Sequence, residues 1–464
     1  MAKITILFAI IYFSGIIGSL VYGAHWAFYL YQVIYLLNPT NHWWSSTLPA
    51  FGYSKITVLI MFATYILNRK SLAENHLLKN PQFKWMFLLI LIYIFTLFVA
   101  LNFDLHKTAA IEYVKLFIVI SLAYKVLDNF TKLEWSLLVY ILGCTFIGYE
   151  TFFTGRDSFG RVEGIGVIDA PEANGTAAAL VPAFPLIIYF LWWGNYKIKA
   201  LMLLCGPVIL NGIILINSRG AFLGTAISIM VFMFSMIFSK YKKPKQRLFA
   251  VFLIVLGLSG IATLVDLTFI ERMATLQTIE DESASGSHRY RMWLAAIEMV
   301  EEHPLGLGVA GFNRLSPLYV PTDLFGKGQL GKSVHSMWFQ ALTEVGWLGF
   351  IVFLTLIGST ILSIRKIKKV SGSINLQAFY LATALYAAFI GICVANSFIN
   401  QFRTQMIYWC ILFISCFYNI VINRSLLTPD KSTVAITDYE SANVKETDRT
   451  DDKAATSQDA SNKS

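Results

Sequence analysis

Three short polar motifs carry side chains that can bind an anion and accept a proton. Arg219 lies in the segment Asn217–Gly224 between two apolar runs, and Arg289 and Arg291 lie two positions apart further along the chain. A guanidinium presents a planar fork of donors that suits a diphosphate. The unperturbed pKa of histidine lies nearest neutrality, so His335 can take a proton from a hydroxyl. These residues predict a diphosphate site beside a general base.

Each motif also has a plainer interpretation. Arg219 at a span end can snorkel to lipid headgroups, although its flanking glycines and alanine leave room for a bulky anion. Arginines two positions apart point to different faces of a helix, so one of them can be a surface cation paired with Glu298 or a lipid phosphate. A lone histidine is usually structural or solvated, as expected for His288 and His303. The neighbouring arginines favour catalysis for His335.

A further polar stretch is a candidate for sugar or acceptor binding. It contains Arg161, Asp169 and Asn174, whose guanidinium, carboxylate and amide groups lie among glycines. Glu344, nine residues after His335, adds a carboxylate to the same set. The alternative is an ordinary polar turn that caps a helix.

The elements that must position these side chains are membrane helices. Of the 464 residues, 56% are hydrophobic and only 14% are charged, whereas soluble domains carry about 25% charged residues. Apolar runs able to cross about 30 Å of hydrocarbon recur along the chain, and helices satisfy the backbone there. We expect an all-α polytopic membrane protein with about twelve spans, the second run being short enough for a re-entrant segment. The runs are Ile4–Tyr22, Ala24–Leu37, Lys55–Leu67, Trp85–Leu101, Ala110–Leu127, Trp135–Phe153, Thr176–Trp193, Ala200–Ile216, Ala221–Phe238, Leu248–Leu267, Met337–Ile364, Ala378–Ser397 and Met406–Ile422.

Basic loops predict the orientation of these spans. Lysine- and arginine-rich loops are expected on the cytoplasmic side, so the net charge of +9 reflects topology and not nucleic-acid binding. We expect residues 1–427 to form the membrane domain, with a catalytic loop at about 268–335 on the periplasmic face, and residues 428–464 to be a disordered cytoplasmic tail. Only Lys3 bears on the side of the N-terminus. The basic clusters are Asn68–Lys70, Lys240–Arg247 and Arg365–Lys369, and the opposite loops are Asn38–Ser54, Asn102–Thr108, Thr154–Gly175, Thr268–His335 and Phe398–Gln405.

The predicted catalytic loop has a pattern of its own. From Arg289 onward apolar residues recur at helical spacing, and Ser285–Ser287 supplies an N-cap region. The glycines of Pro304–Gly311 should end this helix in a tight turn, and a flexible run through Pro317 should lead to His335. The apolar positions of the predicted helix are Met292, Ala295, Ala296, Met299 and Val300.

Other features narrow the class of protein. The five cysteines all lie in apolar runs and indicate neither disulfides nor a metal site. The sequence contains no phosphate loop of an ATP-driven pump and no outward Asp-x-Asp or His/Cys cluster that favours a metal. Few charged residues lie in mid-span, whereas ion-coupled transporters usually bury some there. The first apolar run lacks a small-residue cleavage site and is expected to be retained.

In combination, the motifs resemble the superfamily of O-antigen ligases and Wzy-type polymerases of bacterial envelopes. The resemblance covers about 161–350 and includes NSRGAFLG, the R-x3-W pattern from Arg289, HPLGLGVAGF, and H-S-x5-L-x-E-x-G-x-x-G from His335. Two further stretches, LLNPTNHWWSSTLP and GRVEGIGVIDAPEANGTAAA, resemble a branch described as putative O-glycosylation ligases associated with exosortase systems.

This resemblance implies a metal-independent, inverting glycosyltransferase of the GT-C type that needs no cofactor. The donor would be a glycan on undecaprenyl diphosphate, and the reaction would occur on the periplasmic side. Arg219 and Arg289 would hold the diphosphate, with less motif support for Arg291, and His335 would activate the acceptor hydroxyl. Ser336 stands where family members often have asparagine.

We therefore expect a multi-pass inner-membrane enzyme whose C-terminus is cytoplasmic. The acceptor is expected to be lipid A core or another envelope glycolipid, with protein hydroxyls or a growing polysaccharide as the next alternatives. A polymerase of the same superfamily is one rival. A transporter or flippase for the lipid-linked glycan is a rival of another class, because it needs arginines for binding but no base. A structural partner of an export machine is the third alternative.

Overall fold

Helices build the part of the chain that the computed structural model describes, which is residues 3–39, 42–49, 51–70, 72, 75–158, 160–265, 267, 269–270, 285–325 and 329–427. Over these ranges the chain has no β-strand, and one isolated bridge joins Val167 and Ala170. The predicted all-α architecture is confirmed. The predicted tail at 428–464 and residues 271–284 of the predicted catalytic loop lie outside these ranges. The helices are α1 (Lys3–Val21), α2 (His25–Leu37), α3 (Tyr53–Leu67), α4 (Pro81–Thr96), α5 (Phe103–Val126), α6 (Phe130–Thr154), α7 (Ala173–Leu180), α8 (Ala183–Trp193), α9 (Tyr196–Ile216), α10 (Arg219–Phe238), α11 (Gln246–Leu264), α12 (Ser285–Glu302), α13 (Gly311–Tyr319), α14 (Met337–Ile374), α15 (Leu376–Asn396) and α16 (Gln405–Tyr418).

The helices confirm a multi-pass membrane protein. Within the described ranges, nine helical segments are long and apolar enough to cross a membrane, with α7 and α8 counted as one. Two further apolar helices, α3 and α4, are shorter. The second apolar run, expected to be short, forms α2 with 13 residues, about 20 Å of helix. The number of about twelve spans stays a prediction.

The interior of the bundle is formed by α8, α15 and α16, which are buried along most of their length, whereas α11 is almost wholly exposed. α8 and α15 are apolar on every side, as expected for helices surrounded by other helices. α10 packs closely on α15 through small residues. A Cβ added to Gly224 would lie 2.5 Å from the carbonyl oxygen of Gly391, and one added to Gly220 would lie 3.2 Å from that of Ala395. Such small-residue contacts bring membrane helices together.

This packing revises the role of the glycines around Arg219. The sequence suggested that they leave room for an anion. In the structure Gly224 faces the backbone of α15, and Gly220 both packs against α15 and lines a cavity beside Arg219. The glycines thus fix where α10 begins relative to α15, and this sets the position of Arg219.

A break in α14 explains two of the sequence motifs together. Gly346 has φ +64° and ψ −171° in the middle of the helix, so the carbonyls of the preceding turn lack their normal helical partners. The loop after α12 supplies them: the Leu307 N–H donates to the Thr343 carbonyl at 2.8 Å and the Gly308 N–H to the Glu344 carbonyl at 3.0 Å. HPLGLG and E-x-G-x-x-G are therefore the two halves of one contact.

We expect Gly346→Ala to destabilise the protein strongly. Only glycine adopts this backbone conformation readily, and the strain alone costs about 1–3 kcal/mol. A Cβ would also lie 2.3 Å from the Pro304 carbonyl oxygen and 2.6 Å from the Gly306 nitrogen. Thermal unfolding of the purified protein, followed by tryptophan fluorescence, should show a much lower midpoint or no folded fraction.

Gly358→Ala is the matched control in the same helix. No atom lies within 4 Å of a Cβ built at Gly358, and alanine in a regular helix is favoured over glycine by about 0.5–1 kcal/mol. This variant should melt at or slightly above the wild-type temperature. Equal melting of the two variants would contradict the role assigned to the break.

α12 and the segment after it form a small core beside the bundle. The five apolar positions predicted for the helix face are all buried. Four of them, all except Val300, pack with Leu307, Phe312, Val320, Leu324 and Val334. The helix begins at Ser285 and ends at Glu302, and positive φ values at Gly306 and Gly308 confirm the predicted tight turn. The expectation of a flexible run was wrong at Pro317, because that residue lies within α13. Residues 326–328, further along the predicted run, lie outside the described ranges.

Candidate functional site

Two of the predicted arginines line one small cavity at an end of the bundle. The cavity lies where α10 begins, where the first turn of α12 approaches, and where the chain leaves α15. Its walls are formed by Asn174, Ser218, Arg219, Gly220, Arg289, Phe398 and Ile399. Arg219 and Arg289 are 70 positions apart in the sequence (289 minus 219), so tertiary packing brings them to the same place.

The surroundings of the cavity favour an anion. Arg219 is the first residue of α10, and the Ser218 side chain does not cap this helix, so the positive end of the helix dipole faces the cavity wall. Arg161 lies close enough for its charge to repel that of Arg219. Arg161 also donates from Nη2 to Asn174 Oδ1 at 2.9 Å. A diphosphate in this cavity would relieve the repulsion between the cations.

His335 lies within range of the charge of Arg289. It is the second residue before α14, its φ is +50°, and part of the residue is open to solvent while other atoms pack around its ring. The atoms packed around the imidazole, together with the charges of Arg289 and Lys332, hold the pKa of His335 below its ordinary value. The neutral ring, which can accept a proton, is therefore favoured near neutral pH.

α12 also holds the segment that carries His335. The Trp293 Nε1–H donates to the Val334 carbonyl at 3.1 Å, and the Trp293 ring stacks on Phe339. Arg289 and Trp293 are one helical turn apart, so they share a face. The R-x3-W pattern thus has a physical reason: one residue reaches the cavity and the other anchors the residue before His335.

The structure directs Arg291 elsewhere. Its guanidinium forms an ion pair with Asp323 at 3.1 Å, and the Asp323 side chain is largely exposed. The arginines two positions apart therefore face different surroundings, as the helical geometry predicted. The partner found here is Asp323, whereas the sequence suggested Glu298 or a lipid phosphate for the outward-facing arginine.

The two candidate sugar-binding carboxylates, Asp169 and Glu344, already bind other groups of the protein. Glu344 is 5% exposed and pairs with Arg403 Nε at 3.1 Å, and its other oxygen accepts from Gln340 Nε2 at 2.9 Å. Asp169 accepts from the Tyr35 hydroxyl at 2.5 Å and from the Gln405 N–H at 2.8 Å. Burial raises the pKa of Asp169 to about 6.

Arg161 and Asn174 differ from these carboxylates because they border the arginine cavity. Asn174 lines it directly, and Arg161 is hydrogen-bonded to Asn174. Of the four residues predicted to bind sugar or acceptor, Arg161 and Asn174 therefore lie at the cavity. Asp169 and Glu344 instead bind other side chains and backbone groups of the protein.

The segment 397–405, which joins α15 to α16, was missed as a functional element. Phe398 and Ile399 line the cavity, and Asn400 is hydrogen-bonded on both sides of His335. Gln401 donates to Glu172 at 2.6 Å. In the sequence this segment is a short polar stretch between two apolar runs. That pattern predicted an outward loop but gave no sign of a functional role.

Comparison with known families addresses the central part of the chain. Residues 208–354 match a family model described as O-antigen ligase. The matched range contains Arg219, Arg289 and His335. The resemblance to the superfamily of O-antigen ligases and Wzy-type polymerases is thereby confirmed for this part of the chain. No curated protein sequence matches the chain significantly.

The matched range does not account for the whole site. It begins within α9 and ends within α14. Asn174 precedes it and the segment 397–405 follows it, yet both contribute to the same cavity. The site is therefore completed by parts of the chain on either side of the matched range.

Proposed function

We propose that this O-antigen ligase family protein transfers a glycan from undecaprenyl diphosphate to an acceptor hydroxyl. The observation that carries the proposal is the shared cavity of Arg219 and Arg289, with His335 within range of the charge of Arg289. Two guanidiniums match the charge of a diphosphate, and a neutral imidazole matches the need for a base.

The chemistry is a single displacement. His335 takes the proton of the acceptor hydroxyl while its oxygen bonds to the anomeric carbon of the donor glycan. The bond between that carbon and the diphosphate oxygen breaks, and its electron pair leaves with undecaprenyl diphosphate. Arg219 and Arg289 neutralise the charge that develops on the leaving group. Attack from the face opposite the diphosphate inverts the anomeric configuration.

Basic residues favour one side of the membrane for the reaction. The basic cluster at 240–247 follows the end of α10 opposite to Arg219, and the basic cluster at 365–369 lies in the last third of α14, far from His335. The positive-inside rule therefore favours a periplasmic reaction at the inner membrane. Lipid A core or another envelope glycolipid is the first choice of acceptor. Protein hydroxyls and a growing polysaccharide are the alternatives.

A reconstituted transfer assay tests the proposal. Purified protein in proteoliposomes receives undecaprenyl-diphosphate-linked glycan and lipid A core, and products are separated by mass. A ligase yields glycosylated acceptor and undecaprenyl diphosphate in equal amounts. A polymerase yields a longer lipid-linked glycan without added acceptor. Movement of intact donor between leaflets, with no bond broken, would overturn the proposal in favour of a transporter.

A deletion strain gives the matching cellular result. Accumulated lipid-linked polymer would indicate a ligase, and accumulated single repeat units would indicate a polymerase. An unchanged envelope glycan and glycoprotein profile would contradict both.

A further inference from the structure

The segment that leaves α15 is joined to the segment that carries His335 by several side-chain contacts. The Trp338 Nε1–H donates to Ser397 Oγ at 2.8 Å. Asn396 Nδ2 lies 3.8 Å from the sulfur of Met337. These contacts join the first two residues of α14 to the end of α15. They therefore fix the position of the start of α14 relative to the end of α15.

Asn400 contacts the chain on both sides of His335. Its Oδ1 accepts from the Ser336 N–H at 3.2 Å, and its Nδ2 donates to Ser333 Oγ. One amide therefore holds the residue that follows His335 and a residue two positions before it. The Ser336 hydroxyl is buried without a described hydrogen-bond partner, so the backbone N–H provides the anchor at this residue.

The backbone of His335 needs such support. Its φ of +50° is a left-handed conformation that residues other than glycine adopt only where the surrounding structure holds them. Phe398 and Ile399, directly before Asn400, line the arginine cavity. The same short segment thus contacts both the anion cavity and the histidine.

We propose that Asn400 is a positioning residue that holds His335 in register with the Arg219–Arg289 cavity. This inference rests on the proposed function, in which His335 is the base. Asn400 itself touches no reacting atom. Its amide sets the direction of the imidazole by clamping the chain before and after it, and misplacement of a catalytic group by about 1 Å can cost about 10²-fold in rate.

The test compares Asn400→Ala, which removes both hydrogen bonds, with Asn400→Asp, which keeps only the acceptor for the Ser336 N–H. For Asn400→Ala we expect turnover to fall about 10–10²-fold with the donor KM within about twofold, because the arginines remain in place. Asn400→Asp should retain more turnover than Asn400→Ala. Thr355→Val is the control: Thr355 lies in α14 beyond the break at Gly346, its exposed hydroxyl donates to the Ile351 carbonyl at 2.8 Å, and the variant should turn over like the wild type.

A second readout does not depend on activity. Diethyl pyrocarbonate modifies neutral histidines, and mass spectrometry of the His335 peptide at several pH values gives the rate and the pKa of this ring. Arg289 and Lys332 are the charged groups that lower the pKa of His335. Asn400→Ala should raise that pKa toward its ordinary value because the ring gains water, and Asn400→Asp should raise it further through the added carboxylate. His288 and His303 should react as in the wild type and report that the fold is intact.

The outcomes separate this inference from the proposed function. If His335→Ala is inactive while Asn400→Ala keeps wild-type turnover and an unchanged modification profile, the inference on Asn400 is overturned alone. If His335→Ala remains active, the proposed function fails first. If Asn400→Ala does not fold, Asn400→Asp decides: an unaltered pKa of His335 and unaltered turnover would overturn the inference.

Discussion

Replacement of His335 by alanine is expected to reduce turnover by about 10²–10⁴-fold, the usual contribution of a general base. Packing around the ring and the charge of Arg289 lower the pKa of His335, and part of the residue is open to solvent, so its neutral ring is available for the acceptor proton. Donor binding should be retained, because the two arginines that line the cavity are unchanged. The measurement is single-turnover transfer in proteoliposomes, with donor affinity determined separately.

His303→Ala serves as the control for this variant. His303 lies 14 residues beyond Arg289 at the far end of α12, about 21 Å along the helix. Its loss should leave turnover within about twofold of the wild type, whereas a base contributes at least about 10²-fold. An unaffected rate in His335→Ala would end the ligase interpretation and favour the transporter, which needs no base.

Turnover in the same assay should depend on pH in a direction that follows from the role of His335 as a base. A base works only when unprotonated, so turnover should be constant above the pKa of His335 and decline as the pH falls through it. Because that pKa is lowered, the decline should occur below the ordinary histidine value of about 6.5. Arg289→Gln removes one of the charges that lower it and should move the decline to higher pH. A decline that Arg289→Gln leaves in place would show that these two groups are not close.

Arg219→Lys and Arg289→Lys are each expected to reduce transfer by about 10²–10³-fold, the usual cost of removing one donor to a developing anion. Both guanidiniums line one cavity with Asn174 and the start of α10. A lysine keeps the charge but replaces the planar fork with a point donor. Affinity for free undecaprenyl diphosphate should fall together with the transfer rate, since the leaving group and the product carry the same phosphates.

A protein that carries both Arg219→Lys and Arg289→Lys gives a stricter test of the shared cavity. Residues that contact one group are not independent, so the combined loss should be smaller than the product of the single losses. Arg291→Lys is the matched control, because its ion pair with Asp323 is on the surface and exposed pairs contribute only about 0–1 kcal/mol. Wild-type kinetics for Arg219→Lys would support the snorkelling alternative. Purely multiplicative losses would argue against a common ligand.

The sequence by itself determined the membrane character, the positions of the apolar helices and the chemistry-bearing motifs. These properties are local: hydropathy over a window, helical spacing in α12, and a glycine that permits a turn each depend on neighbouring residues. The pattern from Met292 to Val300 is one example, since every predicted position is buried. The residues Arg219, Arg289 and His335 were also found this way, because they lie in short polar motifs between apolar runs.

Only the tertiary structure decided which of these groups meet. It paired Arg291 with Asp323 and Glu344 with Arg403, and it used Gly224 for packing against α15. It also brought Asn400 to His335, 65 positions away (400 minus 335). Contacts of this kind depend on how close-packed helices cross and where each one begins, and no local periodicity encodes that. A polar loop therefore reads the same in sequence whether it faces solvent or completes a site.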